Sequence, residues 1–351
     1  MSLLHFGRDL SSFIDIFGHT ARQPSDRASR QRGLAVAQFA AKRALGLGAV
    51  LLVISFGTFG LLSIAPGDTA QLLLGTREQS PETIRSVRHE YHLDRPFLTQ
   101  YGIWLGHAVR LDFGRSIRTQ EPVLGSISGR LGLSLFLGIY ATIISVVVGV
   151  PLGILAAVKR RRPVDRAVVA LGVVGVSTPA FTSGVAFLYL FAVLLGWFPV
   201  FGAGTGFTDR LYHLTLPALA LALTVLALVV KLTRAAMIGA LEQDYVVFAR
   251  ARGVSRRAVL TTYALRNALV PVVTAAGAVL GVLIAGAVLV EVAFTLPGIG
   301  SLLVESVEAK DIPMVQGLTV VIALVIVAVN LLTDLVYFAV DPRIRFGAGA
   351  A

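Results

Sequence analysis

The sequence predicts an all-α integral membrane protein with six membrane-spanning helices and both termini in the cytosol. Three observations lead there. Hydrophobic residues make up 55% of the 351 positions and charged residues only 15%. The apolar residues fall in runs of about twenty or more, the length a helix needs to cross hydrocarbon. A bilayer demands such runs because every backbone group must be paired within the segment; a soluble core does not. Third, lysine and arginine alternate from side to side. The leader, the 159–166 loop, the 231–267 segment and the tail hold 21 of the 31 basic residues, which fixes those parts as cytosolic.

Residues 1–43 precede the first span. Leu3, Phe6, Leu10, Phe13, Ile14 and Phe17 recur at helical spacing, which reads as an amphipathic helix, and 20–33 is polar, basic and flexible in composition. No cleaved signal peptide is expected, because the first apolar run begins near Ala44 behind this long basic leader. Span one covers 44–65 and stops at Pro66-Gly67-Asp68, a turn signal. The polar region 66–128 follows, read as external. Within it Ser80, Pro81 and Glu82 form a helix start, with Ile84, Val87 and Tyr91 repeating at three and four.

Span two covers 131–158 and ends at Lys159-Arg160-Arg161-Arg162; span three covers 167–195, bent at Pro179, with Trp197 as an interfacial anchor. Span four occupies 213–233, and the basic segment 234–267 leads to span five at 268–293. An acidic loop with Glu305, Glu308 and Asp311 precedes span six at 314–340, and residues 341–351 form the tail.

The formal charge of +11 follows this topology rather than a nucleic-acid surface, since the basic residues flank apolar runs and lack interleaved aromatics. With no cysteine, disulfides, thiol catalysis, iron–sulfur clusters and cysteine-ligated zinc are excluded. His5, His19, His89, His92, His107 and His213 include no i,i+4 helical metal pair.

The stretch 241–271, LEQDYVVFARARGVSRRAVLTTYALRNALVP, is too polar to span yet unlike a loop. Glu242 to Arg252 reads as helix, Gly253 sits where a left-handed C-terminal cap belongs, and Ser255 is placed to cap a second helix through Leu265. Two short helices and a tight turn make a compact knob, and a knob held between two spans moves them when it is pushed.

Here the chain resembles the membrane subunit of binding-protein-dependent ABC importers, specifically the peptide/nickel permease group. The peptide group's pattern is matched by Gln243-Asp244-Tyr245-Val246, by Ala249-Arg250-Ala251-Arg252-Gly253, and by Ala264 to Pro271. Val247 and Phe248 replace the Glu and first Ala of the general family signature, and Leu265-Arg266 replaces its Leu-Pro. The resemblance covers 44–345 and includes Ala65-Pro66-Gly67-Asp68, Leu93-Asp94-Arg95-Pro96, Asp112-Phe113-Gly114-Arg115-Ser116, Leu296-Pro297-Gly298-Ile299-Gly300 and Asp341-Pro342-Arg343-Ile344-Arg345.

The resemblance implies a type I importer permease fold in the cell's inner membrane, without catalysis or cofactor of its own. ATP and Mg are bound by two separate ATPase subunits or domains, into which the knob inserts. Asp244, Tyr245, Ala249, Arg250, Ala251, Gly253 and Arg256 are then the coupling residues. The alternative for the arginines is topological anchoring. The other implied partners are a homologous second permease, forming a heterodimer, and an extracytoplasmic solute-binding protein. The expected cargo is di- or oligopeptides, with nickel chelates or another small solute as the alternative. The chain agrees by omission: in the nearest approach to a phosphate-binding loop, Gly153 to Lys159, Val158 stands where the second glycine must be.

Among polar residues in the spans, Glu291 is a candidate for the pore or gate, with structural pairing as the alternative. Ser177, Thr178 and Ser183 are pore-lining candidates, with helix packing as the alternative, and Asp334 reads as structural. An intramembrane enzyme is excluded by the lack of G-x-S-x-G and H-E-x-x-H in the spans. An ion-driven secondary transporter, which needs internal repeats and several buried charges, fits poorly.

Overall fold

The computed structural model describes residues 43, 45–61, 80–90 and 93–340. The leader helix, the turn at Pro66-Gly67-Asp68 and the tail 341–351 lie outside the described residues. The chain divides into two units, 1–50 and 51–351. The described part of the first is helical and is the start of the helix Leu45–Leu61; the second holds the rest of the described residues.

No strand occurs among the described residues. The helices are α1 (Leu45–Leu61), α2 (Pro81–Glu90), α3 (Phe97–Ala108), α4 (Val123–Val158), α5 (Pro163–Ser177) and α6 (Ala180–Phe187), which continues as a π-helix, Leu188–Leu194. Then come α7 (Gly206–Leu241), α8 (Asp244–Ala251), α9 (Arg256–Ala258), a second π-helix (Val259–Leu265), α10 (Arg266–Ala293), α11 (Ile299–Glu308) and α12 (Ile312–Val340). Among the described residues four helices are long and apolar enough to cross a membrane, or five if the bent pair of α5 with Ala180–Leu194 counts as one span. The shorter apolar helix α1 has 17 described residues.

These helices are inverted relative to a soluble bundle. On α4, Ile139, Ile143 and Val147 point outward at 48–65% exposure, while Gly138, Ala141, Ser145, Gly149, Gly153 and Ala156 form the inward face. Small residues let backbones approach where burial of apolar surface gives helices no reason to associate. The largest interface is α4 on α7, which run parallel. There Ser145 Oγ reaches the Ala222 carbonyl at 3.4 Å, and a Cβ at Gly153 would stand 2.6 Å from that of Thr233. Antiparallel crossings use the same device, Gly172 against Ala227 on α5 and α7, and Gly277 against Thr333 on α10 and α12. The main core joins α4, α7 and α10 through Leu137, Leu221, Val225, Val229, Val279 and Leu283.

Several expected boundaries shift. Span two begins at Val123 rather than 131, so residues 123–128 of the polar region belong to α4. Span four is the 36-residue α7 rather than 213–233. Bilayer thickness sets the length of the apolar run but does not limit the helix. Span three starts at Pro163 rather than 167, and the bend expected at Pro179 is a break of 101° between two helices. Pro179 has no amide to give, and Ser177 and Thr178 donate their hydroxyls to the carbonyls of Val173 and Val174. Of the acidic segment before span six, Glu305 and Glu308 lie in a helix, α11, and Asp311 just after the turn that follows it.

The polar region is packed against span one: Phe56 and Phe59 of α1 meet Phe97 and Tyr101 of α3, and Tyr101 shares a 2.8 Å hydrogen bond with Ser55.

Candidate functional site

Two ends of the helix bundle carry its polar chemistry. The rod from Arg256 to Ala293 is helical throughout and connects them. At 1.5 Å per residue, Arg266 and Glu291 are about 40 Å apart.

At one end stands the knob. Gln243 precedes α8, and Asp244 opens it, where a negative charge meets the helix dipole favourably. Val246 and Ala249 face inward onto Val259, with Leu241, Val254 and Tyr263 around them. The opposite face is exposed: Val247 is 56% and Phe248 69% exposed, beside exposed Asp244, Tyr245, Arg250 and Ala251. Gly253 closes the helix at φ +78°, its amide donating to Arg250 O and that of Val254 to Ala249 O. That backbone is left-handed, where a β-branched side chain is strained. Ser255 Oγ then accepts from the Ala258 amide and starts the rod, so the second helix of the knob is the root of α10 and not a separate piece. Exposed Arg256 lies with Arg257 on a cavity of about 490 Å³ lined by Ile154, Leu260, Thr261 and Leu265.

The knob's base is tied by ion pairs. Asp165, at the start of α5, receives a bidentate bond from Arg234 at 2.7 and 2.8 Å and a third from the Arg161 amide. Arg160 pairs with Glu242 across the exposed rim.

Carboxylates at the other end have different partners. Glu291 is fully buried. One oxygen accepts from Ser134 Oγ on α4; the other accepts from the amides of Gly300 and Ser301, at 2.8 and 3.1 Å. Ser134 Oγ in turn accepts from the Ile299 amide at 2.9 Å. Three successive amides at the start of α11 are therefore satisfied by side chains from two other helices. Gly298 is required by this approach, since a Cβ there would collide with the Glu291 carboxylate. Close by, Asp311 accepts from Ser116 Oγ and from the amides of Ile117, Arg118 and Met314, joining the Asp112–Ser116 loop to the start of α12.

Of the predicted site residues, the structure brings the coupling set together on the knob and leaves its outer face open. Glu291 does not face an open route in this chain: burial and three hydrogen bonds occupy it. Ser183 is 5% exposed and donates to Ala180 O, whereas Ser177 and Thr178 lie less buried at the bend. Sequence reasoning missed Ser134, Asp165, Arg234 and the roles of Gly298 and Gly300. The available signal was the run Leu296-Pro297-Gly298-Ile299-Gly300, whose close glycines mark an approach.

Comparison with known proteins adds to this geometry. The family model described as binding-protein-dependent transport system inner membrane component matches residues 149–346, and the model of the N-terminal part of such components matches 36–138. A putative peptide transport system permease protein of Brucella abortus is 40% identical over 301 residues, covering 85% of this chain and 95% of that one. The glutathione transport system permease protein GsiC of Escherichia coli K12 is 39% identical over 305 residues, covering 87% and 98%. In fold, the chain is similar to the inward-facing MetNI methionine ABC transporter, with a TM-score of 0.52 at 17% identity over 63% of this chain and 99% of that one.

Proposed function

This chain belongs to the family of binding-protein-dependent transport system inner membrane components, and on that footing we propose that it forms half of the translocation pathway of an ATP-driven peptide importer. The chain is a multi-pass membrane protein and a permease subunit; hydrolysis belongs to a separate subunit. In this reading α1, α4, the bent pair α5 and α6, α7, α10 and α12 are six spans with both termini cytosolic. The knob then faces the cytosol and the Glu291 end faces outward. A homologous permease completes the pathway, two ATPase subunits receive the knobs, and a solute-binding protein delivers cargo outside. Ser177 and Thr178, hydroxyls at the bend of an otherwise apolar segment, are proposed to face the route.

The knob carries the reading. A helix that buries Val246 and Ala249 while exposing Phe248 among arginines is built to enter a cleft on a partner. The peptide cargo rests on two relatives near 40% identity whose names refer to peptide and glutathione transport.

The test is uptake by the permease pair in proteoliposomes with its ATPases and binding protein. Labelled di- and tripeptides should accumulate only with ATP and the binding protein; accumulation on an ion gradient alone would overturn the reading. Because the chain lacks cysteine, an introduced thiol tests orientation. Arg118→Cys should react with an impermeant reagent outside intact cells, and Arg250→Cys only after permeabilisation.

A further inference from the structure

The knob and the Glu291 cluster lie at opposite ends of one helical rod. From Ser255 the chain runs without a break through the π-helix Val259–Leu265 into α10 and on to Glu291. A π-helix is a site where a helix tolerates a change of register, and here it sits at the root of the knob. Beyond it the rod is gripped along its length by α4, α7 and α12. At its far end one carboxylate holds two other helices at once: Ser134 of α4 on one oxygen and the first turn of α11 on the other.

The start of α11 has one local cap bond, from the Gly298 amide to Ser301 Oγ, and no local side-chain partner for the next three amides. Gly298 brings no side chain to the amides of Gly300 and Ser301, and three amides in a row depend on Glu291 and Ser134. Glu305 and Glu308 stand towards the helix's C-terminal end, where negative charge opposes the dipole. The placement of the first turn of α11 is therefore set by the end of α10 together with Ser134, while Arg130 of α4 pairs with Glu305 further along the helix. A charge-assisted bond to backbone amides is short and directional, so a shift of the carboxylate carries the helix with it.

We propose that Glu291 is a positioning residue for transport: it fastens α11 and α4 to the far end of α10, so that a displacement delivered at the knob arrives at α11. This rests on the importer reading and deepens it by naming where the motion is delivered. In that reading α11 lies at the outer end of the pathway, and Glu291 acts on the closure from behind rather than by touching cargo. Asp311 does not share the role, because it joins the Asp112–Ser116 loop to α12 and has no bond to α10 among the described residues.

The experiment uses the complete transporter in proteoliposomes, with spin labels on cysteines introduced at the exposed positions Leu124 and Val307, on α4 and α11. The wild-type distance should change between the nucleotide-free and the ATP-plus-vanadate states. In Glu291→Gln that change should shrink and peptide uptake fall about tenfold, within the 5- to 150-fold span of ordinary coupling energies, while ATP hydrolysis is retained. Ser134→Ala should give a smaller loss of the same kind, and Ser134→Thr, which keeps the hydroxyl, should restore it. A Gln variant that keeps both the distance change and wild-type uptake would overturn the proposal. So would a wild-type distance that ignores nucleotide, or variants at both positions that fail to assemble, which would make Glu291 a folding residue. Wild-type transporter that moves no peptide but still shows the distance change would count against the cargo and leave Glu291 in its role.

Discussion

The two ends of the rod use carboxylates in opposite ways. At the knob, Asp165 and Glu242 meet arginines, Arg234 and Arg160, with the Arg161 amide added at Asp165. At the far end, the buried Glu291 and Asp311 meet only hydroxyls and backbone amides, and the arginine pair there, Arg130 with Glu305, is at the surface. An arginine reaches its partner on a long, rotatable stem, so helices joined by such a pair can shift and keep it. An amide belongs to the backbone, so a carboxylate bound to it fixes where a helix begins. The knob end is tied so that it can move, and the Glu291 end is tied so that it follows. Charge adds to the contrast. The knob end keeps Arg250, Arg252, Arg256 and Arg257 exposed beyond its pairs, consistent with a cytosolic face, whereas the two carboxylates of the far end are buried.

The largest expected effect breaks the ion-pair end. Asp165→Ala leaves Arg234, 28% exposed, without its partner, and the cost should be about 3 kcal/mol, the lower end of the range for breaking a buried pair. Thermal unfolding of the purified transporter, followed by the fluorescence of Trp104 and Trp197, should show a clear loss. An unchanged midpoint would mean that α5 and α7 are held together by packing alone.

At the amide-bonded end, Asp311→Asn turns a donor towards amides that need an acceptor. The expected cost is about 2 kcal/mol, in the range for a hydrogen bond to a charged group. Because its partners are neutral and the site is dry, raising the salt concentration should not change that cost. A salt-sensitive loss would place Asp311 among the solvent-exposed pairs and erase the contrast.

Both ends differ again in how far they were legible. The knob is local: its exposed and buried faces follow a period of 3.6, Gly253 and Ser255 mark its turn, and all of this lies within 25 consecutive residues. The spans are legible for the same reason, although their ends are not, since polar turns such as Thr208 and Asp209 continue a helix beyond the apolar run. The start of α11 was illegible because most of its cap comes from Glu291 and Ser134, the latter 165 positions from Ile299. Local signals there were mixed: Gly298 is an acceptable cap with Ser301 three residues on, whereas acids lie near the far end. Asp165 and Arg234 escaped likewise, 69 positions apart and each reading as one more charge beside a span.

A third substitution tests the turn that connects knob to rod. Gly253→Val forces a β-branched residue to φ +78°, at a cost of about 1–2 kcal/mol. A Cβ there meets nothing within 4 Å, so the strain is in the backbone and not in packing. The protein should reach the membrane and lose uptake while its unfolding midpoint moves less than in Asp165→Ala. Wild-type uptake would show that the left-handed turn is dispensable for coupling.

The smallest effect sharpens the comparison within the knob end itself. Arg160 and Glu242 form an ion pair of the same chemistry as Asp165 and Arg234, but with side chains 44% and 63% exposed. Water already solvates both groups in that position, so little is gained by their meeting, and ions weaken what remains. Arg160→Ala should therefore cost about 0.5 kcal/mol or less at low salt, in the range for exposed pairs, and nothing measurable at about 1 M salt. The same salt series on Asp165→Ala should leave most of its larger loss in place, because that pair is shielded by protein. If both variants lost their effect with salt, burial would not be what separates the two pairs. The description of the knob's base as one buried tie and one exposed rim contact would then fail.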